Sequence, residues 1–193
     1  AIWDAMAKAA NMPLCNFLGG SLGRVQAYNS NGLWLAESKF LASEATELID
    51  EGNFSAIKMR LGRENFNDDL EAINTVRQAV GEQIKLMVDF NQSLTLDEAL
   101  NRCHRLDDLN LTWIEEPLIY DNYEGYSRLT RDIKTPIQLG ENFYGPRELY
   151  KALHMGASDL VMPDFMRIGG ISGWLKSAAI AEAAGIPIST HLY

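Results

Sequence analysis

The sequence is poor in several things, and each shortage narrows its function. There are two cysteines in 193 residues. Cys15 and Cys103 lie far apart in helix-like stretches, which argues against a disulfide-built scaffold and makes a reducing cytoplasm the expected location. No apolar run approaches the roughly 18 residues that would mark a membrane-spanning helix. The opening AIWDAMAKAANMPL lacks the charged and apolar regions of a secretory signal. Basic residues are scarce as well: 17 Lys and Arg stand against 26 Asp and Glu, for a net charge of −9. That balance disfavours nonspecific nucleic-acid binding, which depends on Lys and Arg neutralising phosphates. An acidic substrate would therefore need a metal or a local cationic pocket. The sequence also lacks low-complexity segments and obvious linkers.

What is present reads as one substantial core, with 47% hydrophobic residues. Short apolar runs bounded by turn residues alternate with segments of helical period, the pattern of repeated βα units around a parallel sheet. Seven strands are predicted: VQAYN at 25–29, AIKMR at 56–60, IKLMVD at 84–89, LTWIE at 111–115, PIQLG at 136–140, DLVMP at 159–163 and IPISTH at 186–191. Between them Leu70, Ile73, Val76 and Val80 share one helical face, and Leu96, Leu100 and Cys103 share another. Thr95 with Glu98 fits a capping box, Pro146 suits a first helical turn, and Gly81, Gly156 and Gly185 mark helix ends. Residues 1–24 read differently, as a helix and an LGGSLG turn leading in from a preceding domain, with the α/β unit occupying 25–193.

The stretch LMVDFNQS ends an apolar strand with Asp89 and Asn91, and a buried carboxylate without a partner is costly. Other strands end similarly: Lys58 and Arg60, then Glu115, Glu141, Asp164 and His191. From Lys58 onward the intervals are 31, 26, 26, 23 and 27 residues, about one βα repeat each. In a parallel barrel these groups converge at the C-terminal mouth, where such barrels place their active sites. Asp89, Glu115 and Glu141 in one pocket would repel one another unless a cation joined them. A hard divalent ion, Mg²⁺ or its substitute Mn²⁺, suits such oxygen ligands. Any one of these acids alone is as readily a helix cap, but three at this spacing favour a metal. Glu116, beside Glu115, points to the opposite face and reads as structural. His104 and His154 fall on helix surfaces and also read as structural.

These same motifs, AIKMRLG, LMVDFNQS, TWIEEP, QLGENFYGP, VMPDFMRIGG and ISTHLY, occur in order along almost the whole chain. Through them the sequence resembles the mandelate racemase group of the enolase superfamily. The resemblance implies a modified (βα)7β barrel beside an α+β capping domain, with Mg²⁺ held by Asp89, Glu115 and Glu141. It implies a dyad in which Asp164 orients His191 and raises its basicity, and a homo-oligomer that neither enters membranes nor binds nucleic acid. Removing a proton next to a carboxylate creates a dianionic enediolate, which a divalent cation and a nearby Lys58 stabilise as it forms. His191 is then the base, because an imidazole titrates near neutrality.

The departures from the family decide the reaction expected. Two-base racemases of the group carry Lys-x-Lys on the second strand; here the second position is Arg60, and a guanidinium is a poor base. Arg167, in RIGG, adds a cation that either binds substrate or is a surface charge. One-base chemistry is thereby favoured: His191 takes the α-proton, a β-hydroxyl leaves, and an acid sugar (aldonate or aldarate) becomes a 2-keto acid, with Asn91 bonding a substrate hydroxyl. An α-hydroxyacid racemase or epimerase is the alternative, and a noncatalytic metal-binding barrel is a third reading from another class. Against the family, the last strand and most of the capping domain are missing. The sheet edge so exposed leads us to expect a longer protein or a partner.

Overall fold

The computed structural model describes residues 1–191; Leu192 and Tyr193, which end the ISTHLY motif, lie outside them. After α1 (Ile2–Ala9) and α2 (Leu14–Phe17) comes α3 (Ser38–Asp50), and then strands and helices alternate. The order is β1 (Ala56–Arg60), α4 (Phe66–Val80), β2 (Lys85–Asp89), α5 (Leu96–Leu106), β3 (Leu111–Glu115), α6 (Tyr123–Asp132), β4 (Ile137–Leu139), α7 (Pro146–His154), β5 (Leu160–Val161) and α8 (Gly170–Ala184). The five strands form one sheet in sequential order, and every pair is parallel. This is the parallel α/β architecture that the alternating pattern predicts.

The sheet's two faces are divided by period-two alternation. Ile57, Met59, Leu86, Val88, Ile114, Ile137, Leu139 and Val161 face the helices and belong to one buried cluster with Ile73, Val76, Cys103 and Leu149. On the other face a smaller cluster of Ala56, Met87 and Trp113, flanked by Tyr28 and Leu160, fills the interior of the arc. The helix signals act as read: Thr95 and Glu98 form a reciprocal capping box, Pro146 opens α7, and Gly81 and Gly185 end α4 and α8 with φ of 77° and 69°. The opening segment is tied to the rest by Trp3, whose indole N–H donates to Ser172 Oγ at 2.9 Å.

Two of the seven predicted strands do not form continuous ladders. Residues 25–29 touch the sheet through one bridge, Asn29 to Ile57, and Val25 is 90% exposed. Asn29 exchanges backbone hydrogen bonds with Ala56 and Lys58, but the next bond with β1 is the one Arg60 N–H donates to the carbonyl of Leu33, a residue at a positive φ of 55°. The chain therefore bulges between the two anchor points instead of pleating along β1. At the other flank, residues 186–191 bridge β5 and its extension only at Ile188–Val161 and His191–Asp164. Pro187 and Pro163 lack the N–H groups a continuous ladder needs. For the same reason the strand predicted over 159–163 is reduced to Leu160–Val161.

Ile73 is 1% exposed at the centre of the α4 face. Ile73→Ala should destabilise the fold by about 2–5 kcal/mol, seen as a lower urea midpoint with an unchanged m-value.

Candidate active site

Register brings the polar strand ends together. Arg60 is aligned with Asp89, Asp89 with Glu115, and Glu115 with Gln138. Lys58, 2% exposed, reaches up from β1 with its ammonium hydrogen-bonded to Glu115 Oε1 and 3.3 Å from Asp89 Oδ2. Burial would pull protons off this lysine, but Glu115 and Asp89 outweigh it and raise its pKa. Glu115 is pushed up to about 8, first by burial and then by Asp89, against the pull of Lys58. The other oxygen of Glu115 accepts from the Trp113 indole N–H at 3.2 Å.

Arg60 lies on the same side as Lys58. Its Nε is 3.5 Å from Asp89 Oδ2, and its guanidinium sits 4.9 Å from the centre of the exposed Trp34 ring. Asn91 folds back onto Asp89: its backbone N–H donates to Oδ1 at 2.8 Å and its amide to Oδ2 at 3.2 Å. Asn91 and Gln92 both take positive φ, 45° and 65°, which makes this turn possible.

A second group gathers at the ends of β4 and β5. His191 Nδ1 is 2.9 Å from Asp164 Oδ2, and Nε2 is 3.2 Å from Glu141 Oε2. Asp164 Oδ1 also accepts the backbone N–H groups of Met166 and Arg167, at 2.9 and 3.0 Å. Burial alone would raise the Asp164 pKa; the His191 ring and those two N–H donors reverse this and hold it below the usual carboxylate value. Arg167 donates to the Glu141 carbonyl at 3.0 Å and to Asn142 Oδ1 at 2.7 Å, so it braces one loop against the next.

Glu116 is fully buried and accepts from Gly140 N–H and the Asn142 amide. Burial, then the nearby Glu141, push it up to about 8. Alternation along the strand marked it as structural, and nothing in its spacing revealed that Asn142 links it to the Glu141 loop. Trp113 and Trp34 were likewise invisible as site residues, since a strand tryptophan and a loop tryptophan read as core and surface. His104 and His154 stay apart from the cluster: His104 is 3.8 Å from Asp107, and His154 stacks on Tyr150.

Among the described residues, no group of three or more His, Cys, Asp or Glu side chains is arranged to hold a metal ion. Lys58 stands between Asp89 and Glu115, while Glu141 is paired with His191. The donor chemistry still suits a hard cation. Asp89 acts as a charge on both Glu115 and Glu116, Glu141 acts on Glu116, and burial drives Glu115 and Glu116 towards the protonated form. Also among the described residues, no helix is long and apolar enough to cross a membrane.

A parallel α/β sheet with acids, Lys58 and an Asp–His pair at its C-terminal edge is an enolase-type arrangement. Residues 41–193 match the enolase C-terminal domain-like family model, and the chain belongs to that family. It is 35% identical over 191 residues to L-talarate/galactarate dehydratase of Salmonella typhimurium, covering 99% of this chain and 48% of that protein. Among solved structures, a Mg-bound enolase from alpha proteobacterium bal199 matches with TM-score 0.97 and 58% identity, covering 100% of this chain and 54% of the other. An enolase from Bradyrhizobium complexed with magnesium and mandelic acid matches with TM-score 0.93 and 41% identity, covering 98% and 52%. The chain thus spans about half the length of the relatives it matches.

A depressed Asp164 pKa makes stability depend on pH with a definite sign. The gain is full above the unfolded value, about 3.9, and is lost as pH falls through the lower folded value. Urea midpoints measured from pH 6 downward should show this acid-limb loss in the unaltered protein, and a flatter limb in Asp164→Asn.

Proposed function

We propose that a protein of the relatives' full length carrying this chain removes the proton α to the carboxylate of a small hydroxy acid, and that the reaction is acid-sugar dehydration to a 2-keto acid. The observation that carries this reading is His191, held by Asp164 at 2.9 Å at the same sheet edge as the buried Lys58–Asp89–Glu115 cluster. Asp89, Glu115 and Glu141 are the residues that would hold Mg²⁺, with Mn²⁺ as a substitute. Once bound, that ion supplies Lewis-acid stabilisation of the negative charge developing on the substrate carboxylate. In this structure Asp89 and Glu115 share Lys58 and Glu141 faces His191, so the ion would take the place of those partners on the three carboxylates.

With Nδ1–H donated to Asp164, the His191 Nε2 lone pair accepts the α-proton while the C–H electrons form the enediolate. The same proton, returned to the β-hydroxyl, lets it leave as water; the resulting enol tautomerises to the 2-keto acid. Lys58 supplies positive charge beside the substrate carboxylate. Arg60 is pinned between Asp89 and Trp34, and a guanidinium is a poor base, so it orients an anion and offers no second base. Asn91 and Arg167 remain candidates for substrate hydroxyls and carboxylates if their present partners, Asp89 and the Glu141 loop, release them. The similarity to a talarate/galactarate dehydratase supports the dehydratase reading. The mandelic acid complex of a relative keeps α-hydroxyacid racemisation as the alternative.

His191→Asn should abolish exchange of the substrate α-proton with solvent deuterium, while Mg²⁺ affinity by calorimetry changes by no more than a few-fold. Undiminished exchange would move the base elsewhere.

The unaltered enzyme in D₂O, offered acid sugars of both configurations at the α-carbon, should incorporate deuterium from one face only and release 2-keto acid. Efficient incorporation into both stereoisomers, without keto product, would replace dehydration by racemisation.

A further inference from the structure

The floor beneath the carboxylates is built around one indole. Trp113 precedes Glu115 by two residues on β3, so both point into the interior of the arc, where Trp113 is 9% exposed. Its Nε1–H donates to Glu115 Oε2 at 3.2 Å, while Lys58 donates to Oε1. The two oxygens of a buried carboxylate are therefore distinguished: one faces an ammonium on a flexible stem, the other a neutral donor fixed in a ring. The ring itself is held. Tyr28 packs edge-on against it, with centroids 5.5 Å apart at 80°, and the Tyr28 hydroxyl lies 3.5 Å from Met162 Sδ. An indole has two side-chain torsions and one donor, and no acceptor. Clamped in this way it fixes the rotation of the carboxylate it meets, whereas Lys58 can withdraw along a flexible stem.

We infer that Trp113 is a positioning residue that sets the rotation of Glu115, keeping Oε2 on the indole so that Oε1 is the oxygen presented to a divalent cation. This rests on the proposed Mg²⁺ site. The partners of ligating carboxylates fix ligand orientation, and losing such a partner typically weakens metal affinity about 10- to 100-fold.

The test uses the full-length protein with ¹⁵N-labelled indoles and Mg²⁺ alone as the probe. The chain contributes four tryptophans, Trp3, Trp34, Trp113 and Trp174, and each resonance is assigned by its loss in the corresponding Trp→Phe variant. On Mg²⁺ titration the Trp113 N–H resonance should shift with the same saturation curve as the calorimetric heat, while those of Trp3 and Trp174 stay in place. Trp113→Phe should raise the Mg²⁺ Kd by about 10- to 100-fold. Tyr28→Phe, which removes only the hydroxyl contact to Met162 and keeps the ring packed on the indole, should leave it within a few-fold. Mg²⁺ binding with a stationary Trp113 resonance, or with unchanged affinity in Trp113→Phe, overturns this inference and leaves the metal site standing. Absence of any Mg²⁺ heat overturns the proposed function and this inference together.

Discussion

The site depends on a single buried cation. Lys58 has its ammonium between two carboxylates, Asp89 and Glu115, all three at most 2% exposed. Buried charges persist only when paired and hydrogen-bonded, and removing one partner of such a pair typically costs on the order of 3–5 kcal/mol. Three charges cannot meet this way unless the strands that carry them are in register. The parallel alignment of Arg60 with Asp89 and of Asp89 with Glu115 is therefore a condition for the pocket's electrostatics.

Around that cation the excess of acid is distributed, not cancelled. Asp89 is shared among Lys58, Arg60 and Asn91; Glu115 between Lys58 and Trp113; Glu141 is turned to His191; and Glu116 is satisfied by Gly140 and Asn142. Every interaction that holds a carboxylate in place also lowers the charge it offers to a ligand. Arg167 and Asn142 connect the two halves, since the arginine bonded to Glu141's carbonyl also gives its backbone N–H to Asp164. Glu141 and the Asp164–His191 pair are thus held by a shared set of contacts.

Much of the fold was legible because the driving forces are local or periodic. Alternation of Ile57 and Met59 with Lys58 and Arg60 separates the helix-packed face from the interior, and Thr95, Pro146, Gly81 and Gly185 punctuate the helices through backbone chemistry that needs no tertiary partner. The reading failed at the flanks. VQAYN and IPISTH have strand-like composition, but strand propensity describes fit to a half-buried pleat. At the flanks that fit is interrupted by the bulge between Asn29 and Leu33 and by two prolines.

By itself the sequence determined which residues stand at strand ends, how many residues separate them, and that acids outnumber bases there; the βα period and side-chain alternation are properties of the covalent chain. Only the tertiary structure decided who pairs with whom. Lys58 rather than Arg60 lies between Asp89 and Glu115, Asn91 folds back on Asp89, Arg167 braces a loop, and an indole supports Glu115 from below. Such pairings are settled by distances of an ångström or so between groups tens of residues apart, because in a buried site the cost of an unpaired charge depends on where its nearest partner lies.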